Sequence, residues 1–102
     1  MTHDARDVIA RHLTPSPLIP LRLNGIDRPV LAKLETMQPT GSFKVRGALT
    51  ACAVYQGQHI VTASAGNHGL GIAYVAARLG IPATVVVPET ASPAKVAALR
   101  TL

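Results

Sequence analysis

The first apolar periodicity in the chain is helical. Between Asp4 and Leu13 the apolar residues Val8, Ile9 and Leu13 supply one modest face, and Asp4 carries a side chain suited to capping the start. The next segment, Thr14-Pro15-Ser16-Pro17-Leu18-Ile19-Pro20, holds three prolines. Proline fixes φ and turns the residue before it away from helix, so an extended crossing segment is expected. Leu21 to Leu23 and Val30 to Glu35 then read as short strands around a turn at Asn24-Gly25.

Pro39-Thr40-Gly41 breaks the chain again, and Ser42 is the expected N-cap of a helix reaching about Tyr55. Val45, Ala48, Leu49 and Cys52 recur at i, i+3, i+4 and i+7, which gives that helix one apolar face. His59 to Ala63 reads as a buried strand running into the turn Ser64-Ala65-Gly66-Asn67-His68-Gly69. A second helix follows to Leu79, with Ile72, Val75, Ala76 and Leu79 at the same spacing, and Gly80 with Pro82 stops it. Ala83 to Val87 is a continuous apolar and β-branched run, as expected for a strand covered on both faces. A third helix starts near Ser92-Pro93 and is expected to be still running at Leu102.

Strand, helix, strand and helix in alternation, with short connections, predict an α/β fold with a parallel sheet and right-handed crossovers. There is no internal repeat and no low-complexity tract. A chain that stops inside a helix without a capping signal is expected to be truncated. Isolated, it is expected to leave apolar faces open and to be marginally stable or prone to aggregate.

Composition narrows the function classes. Apolar residues make up 48% and charged residues 15%, a globular balance. The aromatics are Phe43, Tyr55 and Tyr74 alone, so the core must be built from Ala, Val, Leu and Ile. The net charge is +5, but the ten Lys and Arg residues are scattered without a stripe and few aromatics could stack on bases. No nucleic-acid partner is expected. Cys52, alone, excludes an internal disulfide; among apolar neighbours it reads as a core residue rather than a catalytic thiol. The opening residues lack a signal-peptide run, and no segment has the apolar length to cross a bilayer, so a cytoplasmic protein with no membrane partner is expected.

Two glycine-containing turns each lead into a helix: Thr40-Gly41-Ser42-Phe43-Lys44 and Ser64-Ala65-Gly66-Asn67-His68. A helix start offers unpaired N–H groups and the positive end of a dipole, both suited to anions. Neither turn matches GxxxxGK[ST] or GxGxxG, which argues against a P-loop nucleotidase or a dinucleotide fold. Lys44 is expected in the first turn of its helix, where the dipole and partial burial disfavour an ammonium group. A neutral amine is the form that attacks a carbonyl. A surface lysine that merely starts a helix fits the same pattern.

The segment Lys33-Leu34-Glu35-Thr36-Met37-Gln38-Pro39-Thr40-Gly41-Ser42-Phe43-Lys44-Val45-Arg46-Gly47-Ala48 resembles the cofactor-lysine region of fold-type II pyridoxal-phosphate (PLP) enzymes. Serine/threonine dehydratases, also called threonine ammonia-lyases, and serine racemases carry Ser-Phe-Lys-x-Arg-Gly-Ala there. Ser64-Ala65-Gly66-Asn67-His68-Gly69 resembles their substrate-carboxylate loop, and Ile81 to Pro88 the strand that follows. The likeness covers nearly the whole chain from about Thr14.

The resemblance implies the parallel-sheet, three-layer fold of those enzymes, truncated. Residues 1–58 would open the larger, PLP-binding domain, and 59–102 would be the first strand-helix-strand-helix of the smaller one. It implies PLP as cofactor, with Lys44 forming the internal imine and then acting as general base on the α-proton. Phe43 would lie against the cofactor ring, an ordinary core phenylalanine being the other reading. Asn67 would hydrogen-bond the ring's 3-hydroxyl. Ser64, Ala65, Gly66, Asn67 and His68 would bind the substrate carboxylate, although His68 could equally serve only to close the loop. Arg46 reads as structural.

The implied activity is removal of water and ammonia from L-threonine or L-serine to give a 2-oxo acid, by a homo-oligomer in its full-length form. The chain alone is expected to be inactive, because the family's phosphate loop lies later in the sequence. No metal ligand is assigned. The alternatives are a serine racemase, another fold-type II ammonia-lyase, or a non-catalytic piece. Serine racemases and some dehydratases have serine at the position of Ala65, and in the racemases its hydroxyl serves the opposite face of the substrate. Alanine there favours elimination over racemisation.

Overall fold

Helix α1 (Ala5–His12) begins where the Asp4 carboxylate accepts the backbone N–H groups of Arg6 and Asp7. The computed structural model describes residues 4–102. Val8 on α1 and Leu13 just beyond it are buried, and a strap without helix or strand leads on to Pro17.

Strand β1 (Leu18–Leu21) pairs antiparallel with β2 (Val30–Lys33), Leu18 opposite Lys33 and Leu21 opposite Val30. The first strand therefore lies earlier than the alternation of Leu21 to Leu23 predicts, and it includes Pro20. Proline is tolerated because β1 is an edge strand in a two-stranded sheet, so a missing N–H can face outward. A 3-10 turn, Glu35–Met37, follows β2.

Helix α2 (Lys44–Val54) buries its expected face: Val45, Ala48, Leu49 and Cys52 are all in the core. Its cap is displaced by one residue from the expected Ser42. Phe43 takes that position in helical backbone, while the Ser42 hydroxyl accepts the Lys44 N–H at 3.3 Å.

Strand β3 (Ile60–Ala63), helix α3 (Asn67–Leu79) and strand β4 (Ala83–Val86) form a strand-helix-strand unit. Its strands are parallel, Ile60 opposite Ala83 and Ala63 opposite Val86. Gly80 ends α3 in the left-handed conformation. Helix α4 (Pro93–Arg100) is capped by Ser92, whose hydroxyl accepts the Lys95 N–H. It does not continue to Leu102. Its last turn closes at Thr101, whose hydroxyl donates to the Ala98 carbonyl.

The core lies between α2 and α3 and is closed by α1. Cys52 is within it, and burial pushes its thiol above the ordinary range, which fits a packing residue. The strands depart from the expectation of burial. Val61 is 66% exposed and Val86 53%. Each sheet has two strands among the described residues, and α3 packs on the parallel pair. The molecule is a slab of 49 × 41 × 17 Å with a radius of gyration of 16.0 Å, against about 13 Å for a compact domain of this size.

Candidate functional site

Lys44 is the first residue of α2 and its side chain is exposed, so the partial burial expected from the sequence is not found. Its Nζ stands 5.2 Å from the centroid of the Phe43 ring, within cation–π range. Phe43 is 58% exposed. Within this chain Phe43 is therefore not a core residue, and its ring lies exposed beside the amine. In the same turn, Thr40 Oγ1 is buried without a hydrogen-bond partner among the described residues.

The second turn is shaped by Ser64. Its hydroxyl accepts the N–H groups of Gly66 at 3.2 Å and Gly69 at 3.0 Å, which folds the loop back onto its own strand. Gly69 must be glycine for this, since a Cβ there would collide with the Ser64 carbonyl oxygen. The Asn67 and His68 N–H groups lie in the first turn of α3, where no intrahelical acceptor exists. The Asn67 and His68 side chains are exposed, and His68 Nε2 shares a hydrogen bond of 3.0 Å with Thr62 Oγ1 on β3. His68 thus ties the loop to β3.

The helices bring the two turns together. Gly71 of α3 faces the start of α2 so closely that a Cβ would lie 3.3 Å from the carbonyl carbon and oxygen of Lys44. Phe43, Lys44, Arg46, Ala48, His68 and Ile72 are among the residues lining one hollow of about 420 Å³. Residues from both motifs therefore meet on one surface.

A polar cluster that sequence reasoning missed lies behind α2. Arg46 donates to both oxygens of Glu35, Nε to Oε2 and Nη2 to Oε1, each at 2.9 Å. Ser16 Oγ donates to Oε1 at 2.6 Å and Gln38 Nε2 to Oε2 at 3.1 Å. Lys33 Nζ donates to the Ser16 carbonyl and stands 3.9 Å from Glu35 Oε1. Chiefly through the Arg46 hydrogen bonds, and then that of Ser16, the Glu35 carboxyl is lowered to about 2. The same bonds raise the Arg46 guanidinium. One signal was available: Glu35 is the single acidic residue between Asp27 and Glu89.

The donor set suits a pyridoxal group. An accessible primary amine matches an aldehyde, an exposed phenyl ring matches a flat heteroaromatic, and an exposed asparagine amide at a helix start matches a ring hydroxyl. Among the described residues, no group of three His, Cys, Asp or Glu is clustered as a metal would require, and no helix is long and apolar enough to cross a membrane.

Comparison with known proteins agrees with this chemistry. A family model described as pyridoxal-phosphate dependent enzyme matches residues 9–102. The chain is 52% identical over 64 residues to the L-serine dehydratase/L-threonine deaminase of Mus musculus, covering 60% of this chain and 20% of that protein. It is 38% identical over 95 residues to the biosynthetic L-threonine dehydratase of Escherichia coli, covering 89% and 18%. Among solved structures, a pyridoxal 5'-phosphate-dependent aspartate racemase superposes with a TM-score of 0.83 at 38% identity, covering 95% of this chain and 33% of that one. The chain spans about a fifth of the length of these curated relatives.

Proposed function

The chain belongs to the pyridoxal-phosphate dependent enzyme family, and from that premise we propose that its protein removes water and ammonia from L-serine or L-threonine to give a 2-oxo acid. The observation that carries this reading is that the Lys44 turn and His68 of the second turn line one hollow, with Gly71 of α3 against the Lys44 carbonyl. The dehydratase names of the relatives support the substrate class. Residues 1–58 would open the larger domain and 59–102 the smaller, and within this chain one core runs across that join. Cytoplasmic location, a role in amino-acid metabolism and a homo-oligomeric full-length form go with this reading.

Bound PLP supplies an electron sink for charge developing at the substrate α-carbon. The chain's own groups do the rest. Lys44 is the amine that would hold the cofactor, and the same group would serve as general base toward the substrate α-proton. Phe43 would offer its exposed ring to one face of the cofactor, and the Asn67 amide would hydrogen-bond its 3-hydroxyl. The substrate carboxylate is received by the loop from Ser64 to His68, where Ala65 and Gly66 contribute backbone, and by the positive end of the α3 dipole. Because the Ser64 hydroxyl already accepts two N–H groups, its part is to hold the loop in shape while its own proton remains to be donated.

A racemase is the second reading, favoured by the fit to the aspartate racemase structure. Ala65 weighs against it, since it offers no acid or base to the opposite substrate face. The test is direct. Full-length protein with PLP should develop a visible absorption band and release 2-oxo acid from L-threonine or L-serine, and Lys44→Ala should lose both. A K44A protein that kept band and activity would overturn the assignment, and a D-enantiomer as main product would turn it into a racemase.

A further inference from the structure

We propose that Glu35 is a positioning residue for Lys44, acting through Arg46; this rests on the reading of Lys44 given above. The first turn of α2 is weakly held by its own cap. Phe43 provides no side-chain cap, and the Ser42 hydroxyl reaches the Lys44 N–H only at 3.3 Å. Something outside the helix must therefore fix where Lys44 starts. Gly71 of α3 bears on the Lys44 carbonyl from one direction. Arg46, also in the first turn, is the other hold.

Arg46 is pinned because Glu35 is itself pinned. Each carboxylate oxygen accepts two hydrogen bonds, Oε1 from Ser16 and Arg46 and Oε2 from Gln38 and Arg46. A carboxylate with all four in-plane acceptor sites engaged has one orientation, and a guanidinium bound to it through two parallel N–H groups inherits that orientation. The side chains are largely screened from water, 19% exposed for Glu35 and 27% for Arg46. Lys33 from β2 is a charged neighbour of Glu35, Arg6 of α1 lines one hollow with Lys33 and Arg46, and Gln38 is buried. The hold thus passes from the Ser16 strap and the Glu35–Met37 turn into α2, within two residues of the amine.

The experiment uses full-length holoprotein and reads the bound cofactor rather than turnover. Glu35→Gln keeps the shape but turns an amide donor toward a donor. It should speed loss of PLP on dilution by about tenfold, the scale of one charge-assisted hydrogen bond, and should change the visible circular dichroism per bound cofactor. Val8→Ala, a core change on α1 outside the Glu35 cluster, is the control: it should lower the melting temperature and leave both readouts unmoved. Arg46→Lys keeps the charge and loses the fork, so it should repeat the E35Q result more weakly, and it serves alone if E35Q does not fold. A folded E35Q or R46K that merely melts earlier, like V8A, overturns the inference. Wild-type protein that takes up no PLP overturns the enzyme reading instead.

Discussion

Helices α2 and α3 leave Val45, Leu49 and Val75 with no exposed surface, while the hairpin β1–β2 leaves Leu18 and Leu31 each 59% exposed. Both regions are rich in aliphatic residues, so composition does not separate them. What separates them is the partner. The helices lie face to face and share one core. The hairpin reaches the rest of the molecule through Ser16, Lys33 and Glu35, by hydrogen bonds rather than by packed side chains. Apolar burial fixes the scaffold of the site, and a polar clamp fixes the approach to it.

That contrast can be broken most forcefully in the helix pair. Leu49→Ala should lower stability by about 2–5 kcal/mol in urea unfolding, because it empties a site with no exposed surface. Gly69→Ala comes next. Its added methyl must displace the Ser64 carbonyl, at about 1–3 kcal/mol for such overpacking, and tighter substrate binding in that variant would contradict the loop's role.

Acid should loosen the clamp before it reaches the apolar core. Glu35 titrates near 2 in the folded chain against 4.5 ordinarily, so the folded state binds fewer protons in that interval. Its contribution is complete above about pH 4.5 and drains away as pH falls toward 2. Amide exchange in β1 and β2 should rise in that window ahead of exchange in α2 and α3, and E35Q should abolish the difference. A smaller effect is expected at the N-terminal cap, where Asp4→Ala should cost about 1 kcal/mol and be visible as fraying of α1 by exchange. Least of all, Leu31→Ala should change the stability of this unit by under about 0.5 kcal/mol, as an exposed substitution does. A larger loss would mean that the hairpin is covered in the assembled protein.

Helices α1, α2 and α3 were legible because each carried an apolar stripe together with a cap or break, while α4 was announced by Ser92-Pro93 alone and its end was not foreseen. Asp4, Ser92 and Gly80 act where they were expected to. The strands were less legible. A run such as Ala83 to Val87 records what the strand is built to be covered by, not what lies beside it in these residues. Leu18–Leu21 was missed because its proline argues against a strand, and an outer edge removes that objection. At the site, the turns announced Lys44 and Asn67 by residue type. The Glu35 cluster gave only the isolation of its acid, since its members come from segments as far apart as Ser16 and Arg46, and a carboxylate's partners are set by folding rather than spacing.

The contact at Gly71 has a consequence for engineering. With a hydrogen atom as the only spacer between α3 and the Lys44 carbonyl, the two turns behave as jaws of a single gauge whose gap is one missing methyl. Anyone transplanting the lysine turn into another scaffold would have to carry the opposing helix with it, because the calibration is stored in the pair and in neither strip of sequence alone.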